Sequence, residues 1–405
     1  MMGIPEPPVV EQASVRFHAL SFIGFQLLLI TTRRLREPIG KLKTNRTMNK
    51  SLLLSMPIMA ILFSCSSNEE NLSEQNSDKE IKFITNVPAM SVRSVEDISS
   101  SNITTKGFKV SAYKSSAIWA GIDESAPSNS SSSWSFSPAK YMPATGSLNF
   151  WAYSPTDLTV SGKSENGFTL EYEPSTTVAN QKDIVAAYTS TSNSPISLTF
   201  KHLLSKIKFN VKSGATNGYT ISIKGVRLGW IKRGKGTLTY NAGTATWANA
   251  TGNATASYEI GGSSETPIDV TSTATDINSF TDNAFYVLPQ KLTAWDASEH
   301  TTENAYISFL CQIKQYGNKE FPSTPEDYAW GAAIGIDTNW QPGYEYTYNI
   351  TFFPNNGGCG YPDPKDPPTP FGPIVPGGGG SSSEIKFSVS VDTWTSQTEN
   401  PSYSN

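Results

Sequence analysis

From residue 80 onward, apolar and polar side chains alternate in short runs, and clusters of Gly, Asn, Ser and Pro separate the runs. Alternation with a period of two places successive side chains on opposite faces of an extended chain. Runs of this length and period predict strands rather than amphipathic helices. Strands are predicted over 80–85, 107–113, 133–136, 148–153, 167–172, 183–188, 196–201 and 205–211. Within 194–211, SPISLTFKHLLSKIKFNV reads as strand, short helical turn, strand. The turn cluster KSGATNG at 212–218 closes this series. A second series is predicted over 219–228, 236–240, 245–247, 257–260, 284–288, 305–313 and 344–353. Many short strands in two series predict an all-β protein of two β-sandwiches in tandem, over 80–213 and 214–354.

Beyond the second series the pattern breaks. Residues 355–383 are rich in Pro, Gly and Ser, with the Pro-rich part expected to be extended and the Gly-rich part a flexible coil. Then a last alternating run appears, EIKFSVSVDTW at 384–394, inside a terminal segment 384–405. A single strand cannot stand alone, so it must pair with a sheet edge in this molecule or another. Its opening residues repeat the first predicted strand: Glu80-Ile81-Lys82-Phe83 and Glu384-Ile385-Lys386-Phe387. Ile81 and Phe83 share one face of their strand, as Ile385, Phe387, Val389 and Val391 share one face of theirs. Two segments with one inward pattern suit one groove.

Composition narrows the class. Aromatic residues are 11% of the chain and charged residues 16%, enough apolar surface for a core and too little charge for a coiled coil. The formal net charge is −4, and residues 1–47 carry an excess of basic over acidic residues, so the rest of the chain is mildly acidic with no basic footprint and no nucleic-acid partner is expected.

The N-terminus reads as a targeting segment. Residues 1–47 are upstream or leader sequence, with Met1 and Met48 both open as the true start. Residues 48–64 carry a lysine, an apolar stretch and a small residue before Cys65, the layout of a signal peptide. Leu62-Phe63-Ser64-Cys65 resembles a bacterial lipobox, which makes Cys65 the expected lipidation site. Pro57 and the polar tether 65–79 argue against reading the same stretch as a core helix. Glu69 and Glu70 resemble a surface-export signal.

Arg93 lies in the loop-like stretch PAMSVRSVED and is the only arginine between Cys65 and Arg227. An isolated arginine in a polar loop suits an arginine-directed protease, since exposed loops are where nicking occurs. Cleavage there would leave Ser94 as the new N-terminus. It would detach the lipid anchor together with the strand bearing Ile81 and Phe83. The vacated groove would then accept the strand of a neighbour, through Ile385, Phe387, Val389 and Val391.

Catalytic motifs are missing from the sequence. Beyond residue 65 the only histidines are His202 and His300, and no zinc, nucleophile-elbow or P-loop signature occurs. Ser137-Pro138-Ala139-Lys140 fits S-x-x-K without its companion motifs and reads as a turn. No enzyme activity, cofactor or metal is expected. His202 reads as a packing or capping residue, Cys311 as a small buried apolar residue, and pairing of Cys311 with Cys359 stays open. A second reading, a surface glycan-binding lipoprotein, draws on Trp119, Trp134, Trp151, Trp247, Trp295, Trp330 and Trp340 as stacking platforms.

The lipobox-like cysteine, the IKF first strand near an arginine, DIVAAY (183–188), FKHLLSKIKF (200–209) and the closing IKFSVSVDTW (385–394) together resemble the fimbrillin family of Bacteroidetes. The resemblance implies transthyretin-like sandwiches, with Cys65 as the lipid site, Arg93 the cleavage site and 385–391 the donor strand. It implies a pilus subunit at the cell outer membrane surface that supports adhesion. Its implied partners are other copies of itself or related fimbrillins, a processing protease, the outer membrane through the lipid anchor before maturation, and host or bacterial surface ligands. The Pro/Gly linker is longer than a stalk subunit needs, and the leader 1–47 is atypical; both leave room for a tip or accessory role.

Overall fold

The computed structural model describes residues 75–88, 97–130, 133–248, 255–277, 280, 284–299, 303–369, 371–375 and 385–393. The described residues are mostly strand, turn and loop, with one α-helix of a single turn, Ile103–Lys106, and three short 3-10 turns. Residues 66–405 form one unit, described here. Cys65, Arg93 and Ser94 lie outside the described residues.

Among the described residues there are five larger sheets and a two-stranded ribbon of Gln75–Glu80 with Tyr141–Pro143. The first sheet runs Ile196–Thr199, Lys82–Asn86, Ser133–Ser135, Ser128–Ser130. The second runs Lys201–His202, Val185–Thr191, Leu148–Ser154, Lys109–Lys114, Ala117–Ile118. Leu148–Ser154 is buried almost throughout, because cores lie on both of its faces. Phe150 and Ala152 point into a core with Phe83, Phe108, Trp134 and Leu198. Trp151 and Tyr153, one residue out of phase, point into another with Phe168, Leu170, Leu238 and Tyr240.

That second core is closed by a third sheet, and here the chain crosses the division expected at 213/214. Gly236–Asn241 and Thr244–Ala248, from the later series, add to Gly167–Tyr172 and Val160–Ser164 from the earlier one. Pairing of Gly167–Tyr172 with Gly236–Asn241 is continuous over six residue pairs. Gly167 makes it possible: at φ +155°, a Cβ there would lie 1.9 Å from the Tyr240 carbonyl oxygen.

The remaining two sheets enclose the largest core. One joins Ser205–Ser213 in parallel to Tyr344–Phe352, with Phe285–Val287 and Thr275–Asp276 on its other flank. The other centres on Tyr219–Lys232 and Tyr306–Gln315. Phe209, Val211, Ile223, Leu228, Phe309 and Tyr348 meet between them.

The expected helical turn near 200–204 does not form. Lys201–His202 pairs with Val185–Thr191, and Leu203 and Leu204 are both buried, so the backbone stays extended to put side chains on both faces. Ala329–Gly335, AWGAAIG, is a strand the pattern missed, because small residues hide its alternation. The space there is tight: a Cβ on Gly331 would meet the Phe321 ring at 2.5 Å.

Candidate functional site

Lys82–Asn86 is an interior strand of its sheet. On one side Lys82 and Phe83 pair antiparallel with Ser135 and Trp134. On the other, Phe83 to Asn86 pair in parallel with Ile196 to Thr199. Its alternation is complete: Ile81, Phe83 and Val87 are buried, whereas Lys82, Ile84 and Asn86 are exposed, Ile84 at 47%. The Phe83 ring sits edge-on to Phe108, Phe136 and Phe150 at centroid distances of 6.0, 5.8 and 5.7 Å. Loss of this strand would uncover an apolar slot and leave backbone groups of both flanking strands without partners.

The C-terminal run forms the strand Lys386–Thr393. It pairs antiparallel with Tyr344–Phe352 at the outer edge of that sheet, with Ile350 opposite Phe387, Tyr348 opposite Val389 and Tyr346 opposite Val391. Ile385 is buried, and Phe387, Val389 and Val391 pack against the largest core. The Phe387 ring lies 6.0 Å from that of Tyr348. Lys386, Ser388 and Ser390 face outward. The structure does not bring the two repeated segments together; each has its own seat.

The linker differs from its expectation. Rather than standing off as a stiff spacer, it lies on the body through its first half. Asp363 is buried and accepts hydrogen bonds from Arg227 Nη1 at 2.6 Å and Tyr306 Oη at 3.1 Å, with Ser308 Oγ also donating. Arg227 also lies 4.0 Å over the Trp330 ring. Burial acts against the guanidinium charge, but Asp363 and Glu259 outweigh it and hold the Arg227 pKa above its ordinary value. Tyr361 and Phe371 stack at 5.7 Å, and Val375 is buried. Proline and aromatic residues anchored by one buried ion pair hold the linker down, which composition alone does not reveal.

A buried charged cluster ties the chain leaving the first strand to both flanking sheets. The Pro88 carbonyl oxygen lies 3.3 Å from His202 Nε2, and His202 Nδ1 lies 2.9 Å from Asp183 Oδ2. The Ile98 amide donates to the same Asp183 oxygen at 2.8 Å. One residue earlier, Asp97 meets Lys206 Nζ at 2.6 Å and accepts from the Tyr286 hydroxyl at 2.5 Å. Lys206 also contacts Glu345 at 3.3 Å. Burial pushes the Asp97 carboxyl above its ordinary value, against the pull of Lys206 and with a contribution from Asp183. The chain before and after 89–96 is thus held by one Asp183–His202 pair. Sequence reasoning placed His202 as a packing or capping residue but missed Asp97 and Lys206. The available signal was a lysine inside FKHLLSKIKF, where a partnerless charge would be prohibitive.

The aromatic residues read as stacking platforms are mostly interior. Trp119, Trp134, Trp151, Trp295 and Trp340 are buried. Trp247 is partly covered and donates from Nε1 to the Leu203 carbonyl at 2.7 Å, and Trp330 is covered by Arg227. Cys311 and Cys359 are free and buried in one core, and burial pushes both thiol pKa values up. Among the described residues no group of three or more His, Cys, Asp or Glu gathers to hold a metal ion. Among the same residues no helix is long and apolar enough to cross a membrane.

A family model described as fimbrillin-like matches residues 94–359, more than half of the chain. No curated protein sequence matches. Among solved structures, a fimbrilin of Porphyromonas gingivalis W83 is similar at a TM-score of 0.43 and 11% identity, covering 80% of this chain and 99% of that one. A protein of Bacteroides uniformis ATCC 8492, described as a candidate cell adhesion protein, is similar at a TM-score of 0.41 and 14% identity, covering 78% of this chain and 99% of that one.

Proposed function

Because this chain belongs to the fimbrillin-like family, we propose that it is a structural subunit of a cell-surface pilus that polymerises by strand replacement. The subunit is exported as a lipoprotein through Cys65, cleaved between Arg93 and Ser94, and deprived of the strand bearing Ile81 and Phe83. The tail of a neighbouring copy then enters the slot, with Ile385, Phe387, Val389 and Val391 turned inward. The subunit is an all-β body whose strands 236–248 close a sheet begun by 160–172, and the filament serves adhesion at the outer membrane surface.

One observation carries this reading. The first strand is an interior strand with a buried Ile-x-Phe face, and the tail repeats its four opening residues in the same inward phase. Aligning the repeats puts Ile385 at Ile81, Phe387 at Phe83, Val389 at Thr85 and Val391 at Val87. Every inward position of the slot is then filled by an apolar side chain. At the Thr85 position the incoming valine gives up the hydroxyl that accepts from Trp134 Nε1 at 3.3 Å, so the apolar match there is offset by one lost hydrogen bond.

The register supplies the test. Lys82 pairs with Ser135, so Lys386 of an incoming tail faces Ser135 of the acceptor, whereas in its own chain Lys386 pairs with Thr351. A chain carrying both Lys386→Cys and Ser135→Cys should give a ladder of disulfide-linked oligomers from sheared filaments under oxidising conditions. Filaments that yield only monomers on non-reducing gels would contradict the proposed register.

A further inference from the structure

We propose that the outer edge of Tyr344–Phe352 is a second strand acceptor whose occupant, once the tail departs, is the chain's own released first strand, residues 80–87. The inference rests on the strand-replacement reading, because only that reading vacates the edge.

The need for an occupant follows from the geometry. Tyr344–Phe352 has Ser205–Ser213 on one side and the tail on the other. Tyr346, Tyr348 and Ile350 are buried, and Phe387, Val389 and Val391 cover part of the same core. When a tail enters a neighbour, its own chain loses that cover and gains a bare strand edge with unpaired amides and carbonyls. Such an edge binds any strand of suitable pattern.

The first strand has that pattern, position by position. Set on the tail's register, Ile81 takes the place of Ile385, Phe83 that of Phe387 beside Tyr348, Thr85 that of Val389 and Val87 that of Val391. Lys82 falls where an identical Lys386 already faces outward. Asn86 falls at Ser390, whose hydroxyl accepts from Asn349 Nδ2 at 2.9 Å; the Asn86 side-chain oxygen can accept the same bond. In its first seat the strand already buries Ile81, Phe83 and Val87 on one face, so the transfer preserves its inward and outward sides. Ile84, 47% exposed there, takes the place of Ser388 and faces outward in both seats. The cleaved segment is therefore retained on the subunit that gave up its tail, instead of being lost.

The test uses a labelled synthetic peptide of residues 79–88 and the full uncleaved chain, whose own first strand keeps the first slot filled. In the tail register Lys82 faces Thr351; in the first slot it faces Ser135. A chain with Thr351→Cys, incubated under oxidising conditions with excess peptide carrying Lys82→Cys, should form a mixed disulfide as the tail exchanges off the edge. A chain with Ser135→Cys should not. Adding Phe387→Asp, which loosens the tail, should raise peptide affinity at least about tenfold, and Phe83→Asp in the peptide should abolish binding. If the Phe387→Asp chain fails to fold, the Thr351→Cys chain with an otherwise native tail still decides the matter. Absence of its cross-link, or an equal yield with the Phe83→Asp peptide, overturns the proposal. The Lys386–Ser135 ladder reads polymerisation independently. A positive peptide cross-link without that ladder would refute the pilus mechanism and leave the edge as an acceptor.

Discussion

Lys206 and Phe387 represent the two ways a single residue matters in this molecule. Lys206 is a buried cation between Asp97 and Glu345, and truncating it leaves Asp97 without its counter-charge in a water-poor site, while Glu345 keeps Lys208. Lys206→Met should destabilise the chain by about 3–5 kcal/mol, the usual cost of breaking a buried ion pair from one side. Lys208→Met, at the more accessible contact with Glu345, should cost about 1 kcal/mol or less. Urea denaturation of the two variants checks the difference, and equal losses would mean the buried cluster carries no special energy. At the tail, alternation gives the second contrast. Phe387 packs on Tyr348 and Ser388 faces outward, so Phe387→Asp should block filament formation while Ser388→Asp leaves filaments visible by electron microscopy. A charge forced into an apolar seat costs several kcal/mol; one in water costs almost nothing.

Among the elements, the hairpin of Gly236–Asn241 and Thr244–Ala248 deserves a test, because it joins two halves that the strand pattern separates. Its docking depends on Gly167, where backbone meets backbone: the nearest atom to an added Cβ is the Tyr240 carbonyl oxygen. Backbone cannot step aside as a flexible side chain can, so Gly167→Ala should cost about 1–3 kcal/mol. Amide exchange should accelerate along 236–248 more than along Leu148–Ser154, which is held by strands on both flanks. Uniform acceleration across both would show that the hairpin is not a separate docking unit. The element scale also explains the tail's cis seat. A strand with an apolar face and a free backbone edge takes the nearest matching edge, and Tyr344–Phe352 offers an eight-pair register.

For the whole molecule, the proposed assembly requires the first strand to leave, although its strand and the residues on either side of 89–96 are anchored in the fold. Cleavage after Arg93 removes the covalent link that keeps the strand's local concentration high, and the strand's departure then competes only against its contacts. Arg93→Ala should leave an unprocessed chain with its tail in cis and no filaments. Intact mass measurement of protein sheared from cells should find Ser94 as the N-terminus in the native chain and not in the variant. Wild-type filament yield from Arg93→Ala would remove cleavage from the mechanism.

Alternation along the chain was sufficient to determine an all-β fold, most strand positions and the inward phase of both repeated segments, because a period of two fixes facing whenever one face is buried. EIKF at both ends was legible as a repeat because side-chain order is local information. Pairing partners were not legible, since strand neighbours are chosen by three-dimensional closure of the cores. The sequence could not tell that Gly236–Asn241 would return to Gly167–Tyr172, or that the tail would sit on Tyr344–Phe352 in its own chain. Nor could it tell that Asp363 would hold the linker against Arg227 and Ser308. Lys206 lies in a predicted strand, and its partners Asp97 and Glu345 lie far away in sequence and meet it only after the sheets have closed. Long-range ion pairs and edge pairings depend on which surfaces the packed cores bring into contact, so only the tertiary structure decides them.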